Sequence, residues 1–231
     1  MKIDIITIFP ELFKSAFESS IIARAKKKKL VQIKIHNLRQ WTKDKHHTVD
    51  DKPFGGGPGM VMKVDIIDRA ISDLRSKILD SRIILLTPQG KTFNQSLAQK
   101  LAKQKHLILT CGHYEGFDER IRSLVNEEIS IGDYVLTGGE MPAMVIVDSV
   151  VRLIPGVVGK EASLKEESFA SAAAGLEYPQ YTRPEVYKNM KVPKILLSGN
   201  HAEIKNWREK EALKKTKKRR PDLITTISKI L

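Results

Sequence analysis

The stretch Ile131–Glu140, IGDYVLTGGE, indicates more about the fold than any other part of the sequence. The segment before it, Glu128–Ile131, reads as a strand, and Met141–Ile154 after it has apolar residues at helical spacing. Its glycines permit close backbone approach and positive φ angles. In an α/β sheet, a strand–loop–helix junction of this kind lies at the carboxyl edge, where small ligands bind. An ordinary tight connection is the alternative, but it would not need the polar side chains of Asp133, Tyr134, Thr137 and Glu140.

Length, charge and cysteine content limit the class of protein. With 231 residues, 41% of them hydrophobic, the chain is long enough for one large domain, or one domain with an appendage. A formal net charge of +13 favours a nucleic acid or another polyanion as partner, although a generic basic cytosolic protein would share it. The single cysteine, Cys111, excludes an internal disulfide framework. Because no apolar run reaches the ~18 residues of a membrane span, we expect a soluble, cytoplasmic protein with no membrane partner.

Predicted strands alternate with predicted helices as far as Ile154. This order predicts an α/β fold with a mostly parallel sheet. Asn94 is the predicted N-cap of a helix that runs through Lys103. The predicted strands are Lys2–Phe9, Val31–Leu38, Arg82–Leu86, His106–Thr110 and Glu128–Ile131. The predicted helix Val64–Lys77 places on one face the residues Ile66, Ile67, Ala70, Ile71 and Leu74.

Three of the predicted strands are followed by loops rich in glycine, proline and polar residues. These loops are Thr87–Lys91, Gly112–Asp118 and Gly132–Glu140. Because parallel strands end at the same edge of a sheet, the loops should open together and form a pocket. Its groups are mainly backbone N–H and C=O, with Glu115 as the anion. Such a pocket suits an adenosine-like ligand better than a polyphosphate, since it offers little positive charge.

Other motifs for phosphate or metal binding are weak. The glycine-rich segment Phe54–Gly59 would allow close approach to a ligand or act as a hinge, but no Walker-type Lys-Ser or Lys-Thr follows it. His46 and His47 lie near Asp50 and Asp51, yet adjacent histidines cannot share one helix face. We therefore expect no metal site.

The sequence changes character after Ile154. Pro155–Ala174 is predicted to be a polar linker, and a helix is predicted from the N-cap Asn200 to about Thr216, with a break at Pro221 and a short apolar segment Leu223–Leu231. Residues 205–220 hold nine basic and two acidic side chains, a net charge of +7. A solvated helix would account for this, but the charge density, with Trp207 among the lysines, favours a phosphate-binding surface.

Seven motifs in order resemble one family closely, the bacterial tRNA (guanine-N(1))-methyltransferases of the SPOUT class. The resemblance covers nearly the whole chain. The motifs are DDKPFGGGPGM (Asp50–Met60), LLTPQGK (Leu85–Lys91), CGHYEGFDER (Cys111–Arg120), SIGDYVLTGGE (Ser130–Glu140), RLIPGVVG (Arg152–Gly159), YPQYTRPE (Tyr178–Glu185) and LSGNHAEIKNWR (Leu197–Arg208).

The resemblance implies a fold, a donor and an assembly. Residues 1–159 would form an α/β domain with a deep trefoil knot, 160–175 a flexible linker, and 176–231 a small all-helical domain that binds tRNA. The family acts as a homodimer with active sites shared between subunits, and methylates the guanosine 3′ of the anticodon from S-adenosylmethionine. The resemblance leaves open whether Mg²⁺ takes part in methyl transfer. The implied donor pocket is Leu86, Thr87, Pro88, Gln89, Gly90, Gly112, Tyr114, Glu115, Ile131, Gly132, Asp133, Tyr134, Val135, Leu136, Gly138, Gly139 and Pro142.

The resemblance also implies roles in catalysis. Guanine N(1) must lose a proton to a general base, and the charge that develops towards the carbonyl oxygen needs a cation. The cation would be Arg152 and the base Glu167, at a position where the family usually has aspartate. A second departure is Ala170–Ala174, which is longer than the family's usual segment. By the same resemblance, the tRNA would be held by Asp50, Tyr181 and Arg183. The charge density of residues 205–220 adds to these the basic helix residues Lys214, Lys215, Lys217 and Lys218.

Two other functions fit part of the sequence. A different SPOUT RNA methyltransferase, acting on a ribose 2′-hydroxyl or on ribosomal RNA, would share the pocket, but the carboxylate–arginine pair and the helical tail argue against it. A non-catalytic RNA-binding protein would explain the charge but not the pocket.

Overall fold

The computed structural model describes residues 1–78, 80–159, 161–170 and 175–227, which fall into two compact units, Met1–Gly159 and Lys160–Leu231. Most of the Ala170–Ala174 segment and the end of Leu223–Leu231 lie outside the described residues. In the part of the chain that is described, no helix has the length and apolar character needed to cross a membrane.

The first unit alternates strands and helices. Its strands are β1 (Lys2–Thr7), β2 (Gln32–Asn37), β3 (Asp50–Asp51), β4 (Val61–Met62), β5 (Ser81–Thr92), β6 (His106–Cys111) and β7 (Glu127–Ser130). Its helices are α1 (Lys14–Phe17), α2 (Ser20–Lys27), α3 (Val64–Ser76), α4 (Gln95–Ala102) and α5 (Glu140–Val151). Short 3₁₀ turns occur at Pro10–Phe13, Leu38–Trp41 and Glu119–Leu124.

Five of these strands form one parallel sheet in the order β2-β1-β6-β5-β7, which confirms the predicted α/β fold. Apolar side chains cover both faces, as parallel sheets require. One face packs against α2, α4 and α5, and the other against α3 and the 3₁₀ turns at Leu38–Trp41 and Glu119–Leu124. The buried face of α3 consists of the predicted residues Ile66, Ile67, Ala70, Ile71 and Leu74.

The N-cap of α4 is as predicted, because the Asn94 side chain accepts a hydrogen bond from the Leu97 amide at 3.0 Å. The predicted end of β5 at Leu86 is wrong. Leu86 and Lys91 both pair with Ile129, so β5 bulges out over residues 87–90 and then rejoins β7. Pro88 and Gly90 read as a strand end, and nothing local in the sequence signals the return. A side chain at Gly90 would clash, since its Cβ would lie 2.4 Å from the Ile129 backbone nitrogen.

The second unit is mainly helical but contains a hairpin, so the expectation of an all-helical domain is wrong. Its elements are α6 (Glu161–Glu166), β8 (Val186–Tyr187), β9 (Met190–Lys191), a 3₁₀ turn at Lys194–Leu197, α7 (His201–Arg219) and α8 (Pro221–Ile227). The hairpin turns at Lys188 and Asn189, with φ angles of 46° and 64°. Helix α6 lies where the sequence predicted a polar linker, because six residues are too few to show a period. Asn200 caps α7 by accepting from the Glu203 amide at 3.3 Å.

Candidate functional site

The three polar loops meet at the carboxyl edge of the sheet. The bulge of β5, residues 112–118 after β6, and residues 131–139 between β7 and α5 surround a cleft of about 710 Å³, part of it open to solvent. The cleft is lined by Leu86, Thr87, Pro88, Gly112, His113, Tyr114, Glu115, Gly116, Phe117, Ile129, Ser130, Ile131, Gly132, Tyr134, Val135, Leu136, Thr137, Gly138, Gly139 and Pro142.

The structure brings together all but three of the residues expected in the donor pocket. Gln89 does not line the cleft; its side-chain oxygen accepts a hydrogen bond from Arg122, which also pairs with Glu128. Gly90 lies against β7, and Asp133 points to solvent. The lining residues that sequence reasoning missed are His113, Gly116, Phe117, Ile129, Ser130 and Thr137. Most of them lie inside the predicted loops Gly112–Asp118 and Gly132–Glu140. The full ranges of these loops would therefore have predicted them, whereas the motif positions taken from the family did not.

The second and third loops are joined through their backbones. The Gly139 amide donates to the Gly112 carbonyl at 2.8 Å. A Cβ at Gly139 would lie 2.7 Å from Cys111 Cα and 2.8 Å from the Gly112 nitrogen, so only glycine allows this approach. The glycines of the IGDYVLTGGE stretch therefore serve close packing at the floor of the cleft.

The second loop is also held by the segment that leads into β4. The Glu115 amide donates to the Met60 carbonyl at 3.0 Å, and the Met62 amide donates to the Gly116 carbonyl at 2.9 Å. A Cβ at Gly59 would meet the Glu115 carboxylate at 2.3 Å. At least this last glycine of Phe54–Gly59 therefore makes room for a side chain that lines the cleft, rather than forming a hinge.

The charges of the cleft favour a ligand without polyphosphate. Among the described residues, Glu115 and His113 are its only titratable lining side chains apart from the phenols of Tyr114 and Tyr134. Glu140 lies behind the wall, 3% exposed, and accepts a hydrogen bond from the Thr7 hydroxyl at 2.7 Å. Burial, and then the negative charge of Glu140, raise the pKa of the Cys111 thiol well above its ordinary value. Cys111 is therefore a neutral core residue and no nucleophile.

The two expected catalytic residues lie in different units. Arg152 is the C-cap of α5, whereas Pro142 near the other end of this helix lines the cleft. Ten residues of α-helix span about 15 Å, so Arg152 lies well away from the cleft of its own chain. Glu167 directly follows α6 in the second unit and is half-buried.

The residues expected to hold tRNA are spread over both units. Asp50 pairs with Met62 in the β3–β4 ladder. The Tyr181 ring lies 6.5 Å from the ring of Trp207, and Arg183 is exposed. On α7, Lys214, Lys217 and Lys218 are exposed, while Lys215 is half-buried. Within the described ranges, no three His, Cys, Asp or Glu side chains are grouped as a metal site.

Comparison with known proteins gives one consistent family. The family model described as tRNA (Guanine-1)-methyltransferase TrmD matches residues 1–226. A tRNA (guanine-N(1)-)-methyltransferase of Dictyoglomus turgidum is 60% identical over 228 residues, which are 99% of this chain and 91% of that protein. The protein of the same name from Bacillus subtilis is 57% identical over 226 residues, 97% of this chain and 92% of the relative. That of Moorella thermoacetica is 52% identical over 231 residues, 99% and 92% of the two chains.

Proposed function

This chain belongs to the tRNA (guanine-1)-methyltransferase family, and from that premise we propose that it methylates N(1) of the guanosine 3′ of the anticodon (position 37) in tRNA, with S-adenosylmethionine as donor. The observation that carries the proposal is the cleft formed by the three loops at the carboxyl edge of the sheet. The knotted topology, the tRNA-binding role of residues 176–231 and the linker role of residues 160–175 are part of the proposal.

The residues present fit the proposed donor. S-adenosylmethionine carries a positive sulfonium and an amino group, and it supplies an electrophilic methyl group when bound. The cleft offers the carboxylate of Glu115 to a cation, apolar walls such as Leu86 and Pro88, and the backbone groups of the glycine-rich third loop to an adenine ring. No lysine or arginine lines the cleft in the part of the chain that the structure describes, which disfavours a polyphosphate ligand.

The catalytic roles follow from the needs of the guanine. Glu167 accepts the proton of N(1) as a general base, and Arg152 stabilises the charge that develops on the carbonyl oxygen. Their positioning, more than covalent chemistry, lowers the barrier for an in-line displacement.

A homodimer with shared sites is supported by the geometry of α5. The distance of about 15 Å from Pro142 to Arg152 exceeds the length of an arginine side chain, so we infer that a second copy supplies Arg152 to each cleft. Large apolar side chains are exposed around the start of the same helix, where a partner would cover them: Phe9 (41%), Leu12 (52%), Met141 (56%) and Val145 (43%).

The test is to map the methylated nucleotide. The full chain is incubated with methyl-labelled S-adenosylmethionine and an unmodified tRNA transcript, with and without EDTA, and the product nucleosides are identified by mass spectrometry. We expect 1-methylguanosine, absent when position 37 is changed to adenosine; the EDTA arm decides whether Mg²⁺ takes part. A 2′-O-methylnucleoside would indicate a different SPOUT enzyme. Failure to bind the donor in calorimetry would indicate an RNA-binding protein. The cytoplasm, where tRNA is modified, is the proposed location.

A further inference from the structure

Glu140 is a buried carboxylate with no part in the roles assigned so far. It is the first residue of α5, and its Oε1 accepts a hydrogen bond from the Thr7 hydroxyl at 2.7 Å. Its Oε2 lies 3.8 Å from Nδ1 of His113, too far for a hydrogen bond, and that nitrogen is buried without a hydrogen-bond partner in the part of the chain that the structure describes.

The carboxyl group of Glu140 does not line the cleft, but it lies directly behind two residues that do, Gly138 and His113. A Cβ placed on Gly138 would meet Glu140 Oε2 at 2.3 Å and His113 Nδ1 at 2.5 Å. Gly138 and His113 both line the cleft. A ligand in van der Waals contact with Gly138 would therefore lie about 7 Å from the Glu140 charge, since each such contact spans about 4 Å.

The position at the start of α5 gives this charge a specific effect. A helix N-terminus carries about half a positive elementary charge and attracts anions. The N-terminal end of α5 borders the cleft through Gly138, Gly139 and Pro142. Without Glu140, the cleft would present this positive end to a positively charged donor. The carboxyl group of Glu140, buried at this end, opposes the positive field of the helix.

We propose that Glu140 is a specificity-determining residue that favours the positively charged sulfonium of the donor over the uncharged thioether left after methyl transfer. This inference rests on the proposed function. Glu140 would attract the positive charge of the sulfonium, and this attraction is lost when the methyl group is transferred. Glu140 would therefore strengthen binding of the donor without strengthening binding of the product, S-adenosylhomocysteine.

Glu140 could instead only anchor the loop to β1 through Thr7. The two roles differ in what they do to ligands of different charge. Loss of an anchor weakens all ligands that use the cleft by similar factors. Loss of a charge about 7 Å away weakens only the ligands with a net positive charge, by about 50-fold at an effective dielectric constant of about 20.

The test compares three ligands by calorimetry at pH 8.0: S-adenosylmethionine; S-adenosylhomocysteine, which has the same amino-acid group but an uncharged thioether; and sinefungin, whose amine places a stable positive charge near the sulfonium position. In Glu140→Gln, which keeps the size and an oxygen to accept from Thr7, we expect the two cations to bind about 10- to 50-fold more weakly and the thioether less than threefold more weakly. Equal losses for all three ligands, or no loss, would overturn the proposal.

A second pair of variants avoids dependence on the folding of Glu140→Gln. His113 is partly exposed, so His113→Lys places a permanent positive charge beside Glu140, and His113→Gln is its neutral match. We expect His113→Lys to lower the ratio of donor to product affinity about 10-fold relative to His113→Gln. An unchanged ratio would count against the proposal. If the unsubstituted protein binds neither the donor nor sinefungin, the proposed function fails, and that result is distinct from either outcome for the variants.

Discussion

The buried imidazole of His106 on β6 and the buried carboxylate of Asp4 on the neighbouring strand β1 form a hydrogen bond of 2.6 Å. Asp4 is also paired with His36 at 2.8 Å and with Lys2 at 2.7 Å, and the other ring nitrogen of His106 lies 2.7 Å from the Ser81 hydroxyl. Burial alone would raise the pKa of Asp4, but its bonds to His36, Lys2 and His106 outweigh burial and hold this pKa far below its ordinary value. Burial lowers the pKa of His106, and Asp4 only partly opposes this.

These shifts predict that the protein loses stability in acid. A depressed pKa in the folded state means that the unfolded chain binds more protons, so the free energy of unfolding rises with pH. For His106 the loss should begin as pH falls below its unfolded pKa of about 6.5, and for Asp4 below about 3.9. We expect urea titrations to show that the free energy of unfolding falls between pH 7 and pH 5. His106 should contribute a slope of up to about 1.4 kcal/mol per pH unit.

The variant His106→Gln should flatten this decline, because glutamine cannot gain a proton in the unfolded chain. His46→Gln, at an exposed histidine, is the control and should leave the slope unchanged. If the free energy of unfolding of His106→Gln falls with pH as steeply as that of the unsubstituted protein, the proton taken up on unfolding binds to a group other than His106.

Binding of tRNA should depend on salt through α7. Replacing Lys214, Lys215, Lys217 and Lys218 with alanine should reduce the slope of log affinity against log salt by up to about 3.6, because each phosphate contact contributes about 0.9. Filter binding across a salt series measures this slope, and donor binding should be unaffected.

The matched control removes the same four charges from the first unit, at the exposed Lys27, Lys28, Lys43 and Lys45. The net charge of both variants is the same. If the two quadruple variants reduce the slope of log affinity against log salt by the same amount, the overall charge of the chain governs tRNA binding, and α7 is a solvated helix.

Shared active sites predict recovery of activity on mixing. Arg152→Ala removes the cation, and Leu136→Arg places a positive side chain on an exposed wall of the donor cleft. Each variant alone should be inactive. An equal mixture of subunits should recover about a quarter of the activity, because half of the dimers are mixed and each of these has one intact site. No recovery after subunit exchange, or a monomer by sedimentation, would contradict the shared site.

The role of Glu167 as base predicts a large loss of rate with little loss of binding. Glu167→Gln keeps the size and removes the proton acceptor, so single-turnover methylation should slow by about 100- to 10,000-fold. Glu166→Gln is the control; Glu166 accepts a hydrogen bond from the Tyr178 hydroxyl at 2.8 Å, and its loss should cost little rate. Unchanged rates in Glu167→Gln, with saturating tRNA and donor, would remove it from the mechanism.

Gly139 should tolerate no side chain. In Gly139→Ala the new methyl group meets backbone atoms of Cys111 and Gly112, which cannot move without shifting β6, so donor affinity should fall at least about 10-fold. Gly159→Ala is the control, since a Cβ there meets no atom of the described residues within 4 Å. Equal donor affinity in the two variants would show that the floor of the cleft is more adaptable than this packing indicates.

The sequence by itself determined the five strands of the sheet, the helices α3, α4, α5 and α7, and their order, but not α6 or the β8–β9 hairpin. The apolar period of α3, the cap residues Asn94 and Asn200, and the alternation of strands and helices each depend on residues a few positions apart. These local preferences are enough to predict a parallel sheet. They also placed glycine-rich loops after three strands. Because parallel strands share a carboxyl edge, most of the cleft could be inferred from the sequence.

Only the tertiary structure decided which residues meet across long stretches of chain. Thr7 and Glu140 are 133 positions apart, and Asp4 and His106 are 102 positions apart. The return of β5 to Ile129, like the contact of Gly59 with Glu115, depends on the same kind of distant pairing. A local sequence pattern does not predict such partners. Their contact depends on how the sheet and helices pack, which brings together residues that are separated by long stretches of chain. The charge of Glu140 behind the wall of the cleft therefore became visible only in the folded chain.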